Sequence, residues 1–392
     1  MDVGYHQDRN DRMLRQRVQD QWMDAYAPLR HLDPSLVLLA LALSAIGVVM
    51  IYSAKLHALE LDGLPTDLYS SRQLISLAIG VAAMVVAALF DYRYVRAYSV
   101  LIYLGAIAAL VLVLTPFGVS VNGQQAWVSL GGFQFQPAEF GKVAVIIGMA
   151  AVLHERREQP GFVTVVLSLL VAAIPLGLIM LQPDLGSATV FVWIAFIMLL
   201  AAGIKARYLL VLGALGIAGI VAVVQLGLLQ EHQLARLTAF IDPTEDVALE
   251  EVRYNSEQSM IAIGSGQLDG KGLFNGTQTS LSYVPENHTD FIFTVAGEEL
   301  GFVGASVILG LFLLLLWRCL RIAALAKDHF GMLLAAGTVG MIVFQVFVNV
   351  GMAVGIMPVI GIPLPFISFG GTSLIATFIL IGLLLNVHMR RF

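Results

Sequence analysis

One short stretch, Val284-Pro285-Glu286-Asn287-His288-Thr289-Asp290-Phe291, gathers two carboxylates, an imidazole and a hydroxyl. Carboxylates and imidazoles are the usual groups for moving a proton in a reaction. Directly after them comes a long, mainly apolar run, residues 291–317. Ionisable groups at the mouth of such a run mark a functional site by default. Asp290 carries two readings. As a helix N-cap it would bind free N–H groups and the macrodipole, which lowers its pKa. As a general base facing a cavity, with burial and Glu286 beside it, its pKa would rise. His288 reads equally as the base or as a metal ligand. Glu286 reads as its partner or as a plain loop carboxylate.

Other candidates lie far away in the chain. Glu139 and Lys142 stand at i and i+3 just after Gln136-Pro137, a spacing that lets side chains pair across one helical turn. They read as a structural ion pair, or as a cation held for an anionic substrate group and oriented by the Glu. Trp127 is either an interfacial anchor or a platform on which a sugar or lipid stacks. Glu298 and Glu299 fall inside the apolar run and are costly there unless paired or wetted. Asp184, after Pro183, reads as a cap. Residues 349–373 hold several prolines and glycines between two apolar runs. Such backbone is tolerated at membrane depth only where protein or water covers it. The single cysteine, Cys319, excludes an intramolecular disulfide and any Cys-based metal site. No phosphate-cradling P-loop, GxSxG elbow, HExxH or dinucleotide fingerprint is present.

The elements that must position these groups are membrane helices. Of 392 residues, 58% are hydrophobic and only 12% charged, about half the charge of a typical soluble domain. The expected fold is an all-α polytopic membrane protein with ten transmembrane helices, near 36–53, 73–89, 97–115, 139–153, 163–181, 187–203, 208–228, 291–317, 331–355 and 371–388. With the N-terminus inside, 16 of the 22 Lys and Arg residues fall on inner segments. That bias puts both termini in the cytoplasm. The outer face then carries loops at about 116–138 and 229–290, the larger one between spans seven and eight, and chemistry is expected there. Gly264, Gly266, Gly270 and Gly272 in the larger loop predict tight turns or close backbone approach, not a helix. Residues 1–32 form a polar cytoplasmic tail, read as an amphipathic surface helix or as a solvated segment. Residues 33–392 form a single transmembrane domain.

Several of these motifs together resemble the SEDS family (shape, elongation, division and sporulation; the FtsW/RodA/SpoVE proteins). They are Gln136-Pro137-Ala138-Glu139, Gln182-Pro183-Asp184-Leu185-Gly186, Pro285-Glu286-Asn287-His288-Thr289-Asp290-Phe291, Gly297-Glu298-Glu299-Leu300-Gly301 and the 349–373 segment. Ile261-Ala262-Ile263-Gly264-Ser265-Gly266, Gly270-Lys271-Gly272 and Gly276-Thr277-Gln278 look like the elongation branch, RodA. The tail is outside the resemblance, and Ala126 departs from it, since the family often has Arg before the Trp.

The resemblance implies a multi-pass protein of the bacterial cytoplasmic membrane. It would be a peptidoglycan glycosyltransferase that polymerises lipid II into glycan strands at the outer face, for elongation and rod shape. Asp290 takes the family's catalytic aspartate position, and Trp127, Glu139 and Lys142 match positions tied to function there; Glu286 and His288 join them as candidate substrate-binding residues. The implied partners are lipid II, the nascent glycan strand, membrane lipids and a class B penicillin-binding protein, a crosslinking transpeptidase; no nucleic acid is expected. No ligand set for a metal is recognisable. A divalent cation, Mg or Mn, would come with the substrate pyrophosphate. Two rivals stand beside this reading: a lipid II flippase, which predicts charged groups along the whole path, and a non-catalytic scaffold, which predicts that Asp290 is dispensable.

Overall fold

The structure is a computed structural model and describes residues 31–121, 124–131, 133–158, 161–225 and 250–391. The expected amphipathic segment of the tail and the first part of the larger loop lie outside these residues. Each of the ten apolar runs forms a helix: α1 (Pro34–Leu61), α2 (Leu68–Leu89), α4 (Ser99–Val113), α5 (Pro137–Glu155), α6 (Phe162–Leu181), α7 (Leu185–Ala201), α8 (Ala206–Gln225), α11 (Ile292–Ala324), α12 (His329–Ala353) and α13 (Gly371–Met389). Seven of them are long and apolar enough to cross a membrane; α4, α7 and α8 are shorter apolar helices. A six-residue helix α3 (Tyr92–Ala97) links α2 to α4. Two more helices, α9 (Glu250–Gly266) and α10 (Thr277–Ser280), fold from the larger loop.

The smaller loop is not plain coil. It folds into an antiparallel sheet of β1 (Gly118–Val121), β2 (Gln124–Leu130) and β3 (Phe133–Phe135), in that order. Trp127 pairs with Val119 across β1 and β2, and Val128 with Phe135 across β2 and β3. Gln125 ties the sheet to the end of α4 by donating to the carbonyls of Val113 (3.0 Å) and Thr115 (3.1 Å).

Helices α5 and α13 are buried along nearly their whole length and form the centre of the bundle. The peripheral helices expose apolar side chains such as Leu74, Leu101, Leu210 and Leu313. In water that surface would drive aggregation, whereas acyl chains cover it without cost. Polar side chains fasten the helix ends. Asn386 on α13 accepts from the N–H of Tyr92 (3.1 Å) and donates to the carbonyl of Ala88 (2.7 Å), so it caps the end of α2 and the start of α3. Asp33 caps α1 through the N–H of Ser35 (3.1 Å) and pairs with Arg318 of α11.

The eighth apolar run departs from expectation. At about 1.5 Å per residue, α11 would be about 50 Å long, well beyond a hydrocarbon core of about 30 Å. It breaks at Gly301, whose φ of 66° and ψ of −166° are not helical. Before the break, residues 292–299 are buried by protein; after it, Phe302, Val303, Val307 and Leu313 are exposed. The lipid-facing part is therefore residues 302–324, not 291–317, and Glu298 and Glu299 sit in a protein-enclosed half-helix.

The break frees the two bonds that Phe302 and Val303 would have made to the carbonyls of Glu298 and Glu299. Loop 267–272 replaces both. Phe302 N donates to Gln267 O (2.8 Å) and Val303 N to Leu268 O (3.1 Å); Lys271 N donates to Glu298 O (3.0 Å) and Gly272 N to Glu299 O (3.0 Å). This contact is why the glycines are there. Gly270 and Gly272 make the expected turns, with positive φ. Gly266 makes the expected close backbone approach, since a Cβ there would stand 2.1 Å from Gly297 O, but it does so from within a helix: Gly264, with open space around it, and Gly266 both lie at the end of α9, where no helix was expected.

A Cβ on Gly301 would stand 2.3 Å from Gly270 N in a left-handed backbone region. Gly301→Ala is expected to cost on the order of 2–4 kcal/mol. Thermal unfolding in detergent should show a clear drop in Tm, while Gly310→Ala, with open space around it, should not. Equal Tm values for the two variants would contradict the role given to the break.

Candidate active site

Two polar clusters lie at the end of the bundle that the basic-residue bias assigns to the outer face. The first is the turn before α11. Glu286 has a left-handed φ of 51°, uncommon for a residue with a side chain. Its carbonyl accepts from Thr289 N (3.1 Å) and Phe291 N (3.3 Å), and its carboxylate accepts from the Thr289 hydroxyl (2.9 Å). Glu286 is thus exposed and shapes the turn that presents Asp290. Asn287 fixes the turn to α1 by donating to Ala54 O (3.2 Å). Asp290 is half-buried and lies one residue before the N-cap of α11, Phe291.

The Pro-rich segment between α12 and α13 folds over this turn. The Ser368 hydroxyl donates to Thr289 O (2.6 Å) and accepts from Leu364 N (2.8 Å). Phe369 N donates to His288 O (2.9 Å). Asn349 of α12 donates to both Asp290 O (2.8 Å) and Ile362 O (2.7 Å). Gln73 of α2 closes the far side, donating to Ser368 O (3.2 Å) and accepting from Gly370 N (3.3 Å). The backbone on both sides of Asp290 is therefore held by side chains from neighbouring elements.

The second cluster is the start of α5. Lys142 and Glu139 form a buried ion pair at 2.7 Å. Asp184, also buried, caps α7 by accepting from Ser187 N (2.9 Å) and Ser187 Oγ (2.7 Å). Burial pushes its carboxyl up despite those bonds, and the charges of Lys142 and Glu139 reach it. Thr372, at the start of α13, accepts from Gln136 N (3.3 Å) and donates to Gln134 O (3.1 Å). Residues 362–372 thus run from the Asp290 turn to the Glu139 helix and join the clusters. Trp127 stands half-buried on the sheet that leads into α5.

Glu298 and Glu299 have structural partners. Glu298 takes the amine of Lys271 (2.7 Å), the N–H groups of Gln278 (2.8 Å) and Thr279 (3.0 Å) and the Thr279 hydroxyl (2.8 Å). Glu299 takes the Ser53 hydroxyl (2.5 Å) and Phe274 N (3.3 Å). Both therefore anchor loop 270–280. Among the described residues, no three His, Cys, Asp or Glu side chains come together in a way that could hold a metal ion. A cation at this site would depend chiefly on oxygens brought by a substrate. One residue near the turn escaped the sequence reading: Lys55 of α1, whose amine lies 5.9 Å from the centre of the Tyr69 ring and acts electrostatically on both Glu286 and His288. Its sequence signal, one Lys near the outer end of the first span, was too slight to single out.

The family model of the cell cycle proteins FtsW, RodA and SpoVE matches residues 34–391. The chain belongs to this family. A probable peptidoglycan glycosyltransferase FtsW of Geobacter metallireducens is 39% identical over 372 residues, 92% of this chain and 96% of that protein. The peptidoglycan glycosyltransferase MrdB of Escherichia coli K12 is 36% identical over 361 residues, 92% of this chain and 94% of that protein. A solved structure described as the structural coordination of polymerization and crosslinking by a peptidoglycan synthase complex matches with a TM-score of 0.76 at 32% identity, covering 92% of this chain and 98% of that one.

In this FtsW/RodA/SpoVE member, His288 is a neutral packing group. Its ring meets Tyr69 edge-on (4.9 Å between centres) and Phe369 at 5.6 Å, and its Nδ1 is buried without a hydrogen-bond partner. Burial first, and the Lys55 charge second, push its pKa down to about 3. An unfolded His titrates near 6.5. Between those values the unfolded chain binds the proton and the folded chain does not, so stability falls as pH drops below about 6.5, by about 1.4 kcal/mol per unit. His288→Phe keeps the ring contacts and removes the proton site. The Tm of the variant is expected to fall less steeply than wild type between pH 7 and pH 5. Parallel curves would show that the ring is already solvated.

Proposed function

We propose that this chain is a peptidoglycan glycosyltransferase that polymerises lipid II at the outer face of the cytoplasmic membrane. The support is the joint position of Asp290 and the apolar helices. A carboxylate on a turn braced from α1, α2 and α12 stands at the bundle end where the sugars of a membrane-anchored donor would lie. The names of the relatives agree with this chemistry.

In the reaction, Asp290 takes the proton from the 4-hydroxyl of the acceptor GlcNAc. That oxygen bonds to the anomeric carbon of the donor MurNAc and inverts it. The bond to the pyrophosphate oxygen breaks, and the electron pair leaves with the lipid pyrophosphate. Bracing of the turn keeps the carboxylate in reach, since a small misplacement costs much of the rate. Glu286 contributes by shaping that turn. Glu139 and Lys142, expected to meet substrate, are sealed against each other here; their part is to hold the wall beside the Trp127 sheet, where the glycan has a surface to stack on. His288 fills the space beneath as an uncharged ring.

The elongation role rests on the RodA-like stretch through Gly276-Thr277-Gln278, which wraps Glu298. The partner that crosslinks the product is a class B penicillin-binding protein. Support for this comes from the matched synthase complex, whose description pairs polymerization with crosslinking.

The test is lipid II polymerisation by purified protein, with and without that partner. Wild type is expected to make glycan strands, and Asp290→Asn to lose about a hundredfold or more of the rate with its Tm preserved. Undiminished strands from the variant would remove Asp290 as the base. No polymer from wild type, with lipid II still crossing liposome bilayers, would favour a flippase.

A further inference from the structure

We propose that Lys55 is the cation that receives the pyrophosphate of the lipid-linked sugar donor, beside the Asp290 turn. This rests on the glycosyltransferase reading and names the group that would meet the leaving anion. Lys55 is about 30 Å along α1 from Pro34 at 1.5 Å per residue, the thickness of a hydrocarbon core. Asp33 and Arg318 pair at one end of that length. The Lys55 amine therefore lies at the opposite headgroup level, where a lipid pyrophosphate sits.

Among the described residues, the other cations expected at this end are mostly engaged. Lys142 is held by Glu139 at 2.7 Å, Lys271 by Glu298 at 2.7 Å and Arg253 by Glu257 at 3.5 Å. Arg72 lies exposed on α2. Lys55 is half-buried and faces an aromatic ring rather than a carboxylate at ion-pair distance. Two carboxylates, Glu286 and Asp62, act on it through space, and Glu286 already accepts from Thr289. A partly desolvated cation that is held over a ring, with its carboxylates beyond ion-pair distance, attracts a phosphate more strongly than one in direct contact with a carboxylate. Lysine suits this task as a point charge on a flexible stem.

The Lys55 amine acts on His288, and His288 and Lys55 both pack against the Tyr69 ring. As the bond between the anomeric carbon and the pyrophosphate oxygen breaks, the electron pair stays on that oxygen. A cation already in place stabilises the growing charge without rearrangement.

The experiment uses full-length protein in nanodiscs and two readouts. Binding of undecaprenyl pyrophosphate and of undecaprenol is measured directly, and lipid II polymerisation is measured separately. Lys55→Met is expected to weaken pyrophosphate binding about tenfold, the order of one desolvated charge contact, while undecaprenol binding and Tm stay unchanged. Lys55→Arg should recover most of the affinity, and polymerisation by Lys55→Met should show a raised KM for lipid II. Unchanged pyrophosphate binding in Lys55→Met would overturn the proposal, as would an equal loss for undecaprenol. If wild type binds the pyrophosphate through Lys55 but makes no polymer, the binding site stands and the glycosyltransferase reading fails.

Discussion

Backbone that leaves a helix inside an apolar shell must find a partner for every N–H and C=O it frees. This chain does so twice near the site, and both solutions shape it. At Gly301 the two lost helical bonds are replaced by four bonds to residues 267–272. The larger loop is thereby fastened to α11, and Glu298 and Glu299 fasten it further. Without the break, a helix of that length would push its two acidic residues toward lipid. With it, they are enclosed by protein and bonded.

The second place is the Pro-rich segment between α12 and α13. Prolines remove donors, and Gly361 and Phe366 take positive φ, so no regular ladder is available. Asn349, Ser368 and Gln73 supply the missing partners. Each of them also bonds the turn of Asp290 or the segment that covers it. The same side chains thus satisfy the irregular backbone and fix the position of the carboxylate. Precision at a site built on loops needs such a supporting shell.

The sequence made the helices legible because membrane spans announce themselves by length and apolarity. The Glu139–Lys142 pair was legible from its i, i+3 spacing, and the covered Pro-rich segment from its breakers. Other features carried no local signal. The strands β1 to β3 are an exception: they are short, but Val119-Ser120-Val121 and Phe133-Gln134-Phe135 alternate, and Asn122-Gly123 and Gly131-Gly132 stand between the runs, a hairpin signal that the reading of this stretch as a plain loop passed over. Gly264 and Gly266 look like loop glycines, yet both lie in helix α9, and it is at Gly266 that α9 comes backbone-close to α11. Gly301 looks like any glycine in a span; only loop 267–272, some thirty residues upstream, makes it a break. Lys55 gains meaning from Tyr69 and the 286–291 turn, both distant in sequence.

The charges show the same economy. In the wall, Glu139 meets Lys142, Glu298 meets Lys271 and Asp33 meets Arg318. A buried ion is tolerable only when paired and hydrogen-bonded, and the pair adds little net field beyond its neighbourhood. His288 contributes none, since burial keeps its ring neutral. The field at the mouth is then set by groups outside those pairs, with Glu286 and Lys55 on one side of the turn. On the proposed reading, an anionic lipid donor at this mouth would find the Lys55 amine and the half-buried Asp290 on the same face of the site. In the proposed reaction the base would stay near a substrate carrying charge of the same sign, and a nearby cation with no carboxylate at ion-pair distance would offset the repulsion between them.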